Sequence, residues 1–179
     1  MVELRREWAM PSRWTFDIDP IRELVEREVG SGLWIDPFAG KSSVADVTND
    51  INPDRDTDYT MKAVEFLQQF DDNEVDGGVI FDPPYSATQL KRLYGDLDIE
   101  VSQNDTNGGF YGRNKDEVER VCAPGATVVY FGWDSGGIGK TRGFEKREIL
   151  LVCHGSSRND TICVVEDYQH EDATTLEQW

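Results

Sequence analysis

Gly78-Val79-Ile80-Phe81-Asp82-Pro83-Pro84-Tyr85 reads as a short buried strand that stops on an acid. An apolar run without alternation fits a strand covered on both faces, as in a parallel sheet. The two prolines end it, because each fixes φ and removes an N–H donor. Working outward, Leu33-Trp34-Ile35-Asp36 is a second such run and enters the turn Pro37-Phe38-Ala39-Gly40. Val44 to Asn49 is a third, ending at Asp50. Asp19-Pro20 opens a helix through about Val29, with Asp as cap and Pro in the first turn. Thr60 to Phe70 carries Met61, Val64, Phe66 and Leu67 near one side of a helix. Further helices are expected over Ala87–Tyr94 and Asn114–Cys122, and strands over Thr127–Gly132, Glu145–Cys153 and Thr161–Val165. This alternation predicts an α/β fold with a mixed, mostly parallel sheet of about six or seven strands and an antiparallel pair at one edge. Residues 1–14 read as a basic lead-in, 15–166 as the domain and 167–179 as an acidic tail.

The 179 residues carry 35 acids against 18 bases, a net charge of −17. The acids are 20 Asp and 15 Glu, the bases 12 Arg and only 6 Lys, and acids occur along the whole chain. An acidic, Lys-poor surface keeps a protein hydrated in concentrated salt. The composition therefore predicts the cytoplasm of a salt-accumulating halophile, with an ordinary acidic cytosolic protein as the alternative. Acidity normally argues against a nucleic-acid partner. In molar salt that argument weakens, because the screening length falls to about 3 Å. No apolar run approaches the roughly 20 residues of a membrane span, and MVELRREWAMPSRW has no apolar core for a signal peptide. Cys122, Cys153 and Cys163 lack paired spacing, which predicts buried reduced thiols and no zinc. His154 and His170 stand too far apart to suggest a metal pair.

In an open α/β sheet, ligands bind beyond the carboxyl ends of the strands. Asp36, Asp50 and Asp82 all fall at such ends and together predict a pocket rimmed by carboxylates. Singly, each would read as a cap or turn residue. The Asp82 carboxylate and the Pro83 carbonyl form a rigid pair of acceptors. That pair suits an amino group on an aromatic ring, whose two hydrogens they could hold while its lone pair is freed from the ring. Tyr85 offers a flat face on which an extruded base could stack.

With these residues placed, the chain resembles S-adenosylmethionine-dependent amino-methyltransferases of the DNA adenine-N6 type. Asp82-Pro83-Pro84-Tyr85 matches their catalytic motif. Asp36-Pro37-Phe38-Ala39-Gly40 resembles the cofactor motif, and Asn49-Asp50-Ile51-Asn52-Pro53 the motif whose acid holds the ribose hydroxyls. Thr15-Phe16-Asp17-Ile18-Asp19-Pro20-Ile21 resembles the N-terminal motif over the methionine end. The resemblance covers about residues 15–166 and implies a Rossmann-like methyltransferase fold with S-adenosylmethionine as cofactor. It implies double-stranded DNA with a flipped target base as substrate and adenine N6 as the methylated atom. The implied catalytic residues are Asp82, Pro83, Pro84 and Tyr85. The implied cofactor residues are Thr15, Phe16, Ile18, Asp36, Pro37, Phe38, Ala39, Gly40, Asn49 and Asp50. Cytosine N4, an RNA base, or a non-catalytic nucleic-acid-binding module are the alternatives.

The chain departs from the family in two places. Lys41-Ser42-Ser43 follows Gly40 where a second glycine is usual, and only residues 37–43 separate the first two expected strands, too few for a crossover helix. Lys62 stands where the family often has an acid. Gly139-Lys140-Thr141 resembles the end of a phosphate-binding loop, but Asp134 replaces the required glycine. Residues 86–113 mix base-edge readers (Gln89, Gln103, Asn104, Asn107), cations (Lys91, Arg92, Arg113) and aromatics (Tyr94, Phe110, Tyr111), which predicts a DNA-recognition segment. Within it, Ser102–Gly112 is expected to be poorly packed. Lys140 and Arg142, in a Gly-rich loop expected at the carboxyl edge of the sheet, complete the predicted DNA contacts.

Overall fold

The computed structural model of the chain describes residues 1–99, 109–155 and 159–169. Seven strands form one sheet: β1 (Glu3–Trp8), β2 (Trp34–Asp36), β3 (Val47–Thr48), β4 (Gly78–Phe81), β5 (Thr127–Gly132), β6 (Phe144–Cys153) and β7 (Thr161–Tyr168). Their spatial order is β1-β6-β7-β5-β4-β2-β3. Only β7 runs against its neighbours, β5 and β6; every other pairing is parallel. The helices are α1 (Asp19–Glu28), α2 (Ala63–Leu67), α3 (Ala87–Asp96) and α4 (Gly109–Val121). This is the Rossmann-like, doubly wound α/β sheet expected, with β2 beside β4 where the strand order reverses.

Residue alternation sorts the core into two layers. Val79 and Phe81 of β4, with Val128 and Tyr130 of β5, pack under α2 and α4 against Phe66, Leu67, Val118 and Val121. Ile80, Val129 and Phe131 point the other way, toward Ile21, Leu24 and Val25 of α1. Strand side chains repeat every two residues. Trp34 and Ile80 lie on the α1 side, so Asp36 and Asp82, two residues further on, emerge on that side too. Gly78 has no side chain because the Trp34 indole lies over it: a Cβ there would stand 2.8 Å from the ring and 2.1 Å from the Thr127 carbonyl oxygen.

The structure corrects several expectations. The N-terminal segment contributes a strand, β1, which pairs in parallel with β6 at the sheet edge. The antiparallel strand is therefore interior, and the edge beyond it is parallel. The third strand is reduced to Val47–Thr48. Residues 37–46 join it to β2 without a helix, held by backbone and side-chain bonds: Ala39 N–H to the Asn49 carbonyl (2.9 Å), Asp46 N–H to the Trp34 carbonyl (2.9 Å) and Trp34 N–H to the Asp46 carboxylate (2.8 Å). β7 runs to Tyr168, so its last residues belong to the sheet and not to the acidic tail. The predicted helix over 114–122 begins at Gly109, so 109–112 are helical, with Phe110 buried. The rest of the expected loose stretch, with Gln103, Asn104 and Asn107, lies outside the described residues, as does His170. The three cysteines are unpaired and buried. Among the described residues, no helix is long and apolar enough to cross a membrane.

Candidate active site at the carboxyl edge of the sheet

β4 ends at Phe81 and delivers Asp82 to an open pocket of about 490 Å³. Thr15, Ile18, Asp82-Pro83-Pro84-Tyr85, Trp133, His154 and Thr161 are among the residues that line it. The Tyr85 hydroxyl donates to Asp82 Oδ1 at 2.7 Å. Burial pushes the Asp82 carboxyl up to about 6, with the Thr15 and Tyr85 hydroxyls pulling against it. Burial, reinforced by the Asp82 charge, raises Tyr85 and keeps it a phenol. The Tyr85 ring meets Trp133 edge-on at 5.8 Å, and its backbone N–H donates to Gln89 Oε1 at 2.6 Å. Ser86 caps α3 by accepting from Gln89 N–H at 3.2 Å, so the helix starts directly after the motif. The Pro84 carbonyl accepts the Tyr111 hydroxyl at 2.5 Å, which ties α4 to the same turn.

Asp36 closes β2 and is 0% exposed. Its Oδ1 accepts the Phe38 N–H at 2.9 Å. Its Oδ2 is buried with no hydrogen-bond partner. Burial holds this carboxyl well above the usual range, and the charges of Asp82 and Asp50 raise it further against the Phe38 bond. Of the three strand-end acids only Asp82 lines the open pocket, so the expected rim of three carboxylates is not formed there, and among the described residues no cluster has metal-holding geometry.

Asp50 and Asn49 are spent inside the protein. Asp50 accepts the Gly40 N–H through Oδ2 (2.9 Å) and the Asn52 N–H through Oδ1 (2.7 Å). Gly40 sits at φ 60°, the left-handed region that favours glycine. Asn49 donates to the Pro37 and Met61 carbonyls, both at 3.0 Å, and accepts the Met61 N–H at 3.1 Å. These bonds replace the missing crossover helix and fix the 37–40 turn. Pro37, Phe38, Asp50, Ile51, Tyr94 and Phe110 line a crevice of about 40 Å³ beside the Pro84 turn. Phe38 meets Phe81 edge-on at 5.3 Å and Phe110 at 6.4 Å. Lys62 lies 5.5 Å over the Tyr94 ring. Ala39 is buried. Phe16 packs edge-on against Phe131 at 5.4 Å and anchors the Thr15–Asp17 turn to the sheet.

The proposed DNA contacts divide. Lys91 and Arg92 are exposed on α3, and Arg113 is half-buried on α4. Lys140 and Arg142 are misplaced by the sequence reading. They form a turn just before β6 begins, at the amino end of the sheet and opposite Asp82. There Arg142 is paired with Asp116 at 2.6 Å. The loop reaches that end because buried Glu166 on β7 captures the Ile138 (2.5 Å) and Gly139 (3.3 Å) N–H groups. Sequence reasoning missed Arg13, Trp133, His154, Asn159 and Thr161 at the pocket. Trp133 directly follows β5, so the strand-end rule that chose Asp82 would have found it. His154 is held by the Ala9 carbonyl (3.0 Å) and the Thr161 hydroxyl (2.9 Å), and no local pattern announces that.

No protein-family model matches the chain, and no curated protein matches it in sequence. Among solved structures it is similar to a candidate methylase of Haemophilus influenzae, with 12% identity and a TM-score of 0.46 over 84% of this chain and 98% of that one. A likeness so distant carries no chemistry, which stands on the residues.

Proposed function

We propose that the chain transfers a methyl group from S-adenosylmethionine to N6 of adenine in DNA. The observation that carries this reading is Asp82, on a proline-stiffened turn lining a pocket of about 490 Å³, with the buried and unpartnered Asp36 Oδ2 at the end of the neighbouring strand. The donor set fits the cofactor: a buried carboxylate with an unused oxygen at the switch between β2 and β4 suits an ammonium or sulfonium cation. When bound, the cofactor supplies an electrophilic methyl on sulfur. Asp36 would hold its cationic end, with Thr15 and Ile18 over the methionine portion. The turn 37–40, stapled by Asp50 and Asn49, would flank its nucleoside.

Asp82 would accept a hydrogen bond from one N–H of the target amine and the Pro83 carbonyl a hydrogen bond from the other; the proton that the nitrogen sheds once it carries the methyl group would pass to Asp82 and on to water. Two acceptors on one nitrogen favour its tetrahedral form and free its lone pair. The carboxylate must be ionised to do this, so activity rises through about pH 6. The Tyr85 hydroxyl now occupies Asp82 Oδ1, and an incoming base displaces it. The freed ring then stacks on the base, with Trp133 at its edge.

The test is product analysis. The protein is incubated with duplex DNA and methyl-labelled cofactor, and the DNA is digested to nucleosides. N6-methyladenosine in the digest is the expected result. Label in N4-methylcytosine would move the substrate, and no label with cofactor bound would reduce the chain to a binding module.

A further inference from the structure

We infer that three cations gathered on Trp14 form a docking surface for the phosphate backbone of a nucleic acid, an inference that rests on the proposed reading of the neighbouring pocket. Arg13, Lys41 and Arg55 lie 5.3, 5.1 and 4.8 Å from the centre of the Trp14 ring. All three charges therefore sit within roughly one ~10 Å screening length of one another at 0.1 M salt. Like charges held this close repel, and Trp14 is half-buried, so each cation over its ring regains about 0.5–2 kcal/mol. A chain with 35 acids to choose from answers only one of the three: Lys41 pairs with Asp17 at 2.8 Å. Among the described residues, Arg13 and Arg55 have no carboxylate partner. Elsewhere most described arginines are paired, as with Arg22, Arg120, Arg142 and Arg147, while Arg6 bonds instead to Cys153 Sγ.

The position is specific. Arg13 comes from the segment between β1 and the Thr15 turn, Lys41 from the connection after β2, and Arg55 from the loop after β3. Three separate segments at the carboxyl edge thus deliver positive charge to one spot. Arg13 also lines the pocket that Asp82 lines. Gly40 leaves room for the ring: a Cβ there would stand 3.4 Å from Trp14 Cζ3. An anionic polymer crossing this spot would have its backbone beside the pocket mouth, where an extruded nucleotide must enter. The acidic bulk of the surface would repel it elsewhere and so fix its path.

The experiment measures duplex DNA affinity against KCl, over the range in which circular dichroism is unchanged, for wild type, Arg13→Gln, Arg55→Gln and the double variant. Each phosphate that a variant no longer neutralises lowers the slope of log K against log salt by about 0.9. Each single variant should show about that decrease and the double variant about twice it. Arg13→Lys and Arg55→Lys, which keep the charge, should retain the wild-type slope. Arg22→Gln removes one charge from α1 and should also leave the slope unchanged. A wild-type slope in the double variant, or an equal decrease in Arg22→Gln, overturns the assignment. The two readings fail separately: methylated product with an unchanged slope removes the docking surface alone, and a lowered slope in a protein that never methylates removes the methyl-transfer reading alone.

Discussion

Burial pushes on acids in two regions of this protein, and the outcome at Glu28 is opposite to that at Asp36 and Asp82. On the α1–β6 side, Glu28 receives Arg147 at 2.8 Å and Arg27 at 2.7 Å. Burial pushes that carboxyl up, but the two arginines overcome it and hold it below its ordinary value. Buried Glu148 beside it takes Arg5 at 3.1 Å and Arg27 as well. At the carboxyl edge, Asp36 and Asp82 have no such cation among the described residues, and burial drives both up. The paired group strengthens the fold. The unpaired group carries its burial uncompensated, and a perturbed acid lining a cleft, as Asp82 does, is where a site is to be sought. In the proposed function the missing positive charge arrives with the ligand.

The comparison is broken most sharply at Asp82. Asp82→Asn should lower methyl transfer about 10²–10⁴-fold, the range of a positioned proton-handling group. Its melting temperature should meanwhile rise relative to wild type above pH 6. The sign follows from the raised carboxyl: ionising it costs folded stability as pH climbs from its ordinary 3.8 through about 6, and the amide has no such cost. Label-transfer assays and calorimetry at pH 5 and 8 read both, and an active variant would remove Asp82 from the chemistry.

Asp36→Asn should weaken cofactor binding by at least about tenfold, since a charge-assisted bond is worth about 1.5–3 kcal/mol, and should also raise the melting temperature. Titration calorimetry with S-adenosylmethionine checks it; unchanged affinity puts the unused Asp36 oxygen outside the site. The opposite pattern is expected across the sheet. Glu148→Gln should cost about 1.5–3 kcal/mol of stability in denaturant melts and leave methyl transfer at the wild-type rate. A loss of activity without a loss of stability there would erase the contrast between the two groups. The smallest effect is expected at Tyr85. Tyr85→Phe removes a donor that lowers Asp82, so the acid limb of kcat/KM should move above pH 6 while most of the rate survives at pH 8. The limb of kcat should not move, because the bound base has already displaced the hydroxyl. A kcat limb that moved equally would show the hydroxyl still on Asp82 during the reaction.

Much of this site was legible because strand ends were. Asp36 and Asp82 could be located from unbroken apolar runs, and alternation then puts both on one face. Thr127–Gly132 was readable to the residue for the same reason. The role of Asp50 was not legible. An acid after a strand looks the same whether it faces a ligand or clasps Gly40 and Asn52. The path of the 134–143 loop was hidden too, because it is set by Glu166 more than twenty residues downstream. The strand at Glu3–Trp8 escaped notice because an edge strand with a mostly exposed alternation carries no apolar run. The Trp14 cluster joins three loops, and periodicity says nothing about loops.

That first strand bears on how the molecule is made. Arg5 and Glu148, bonded across β1 and β6, are 143 residues apart in the chain. Such pairings are slow to form, because a long loop must close before any bond rewards it. During synthesis the N-terminal strand emerges first and finds its neighbour last, after nearly the whole sheet has left the ribosome. The segment carrying Arg13, Trp14 and Thr15 hangs directly from it. The pocket therefore acquires Arg13 and Thr15 only once β6 is available, and a ribosome stalled before β6 would hold a nascent chain with Asp82-Pro83-Pro84-Tyr85 but no assembled pocket.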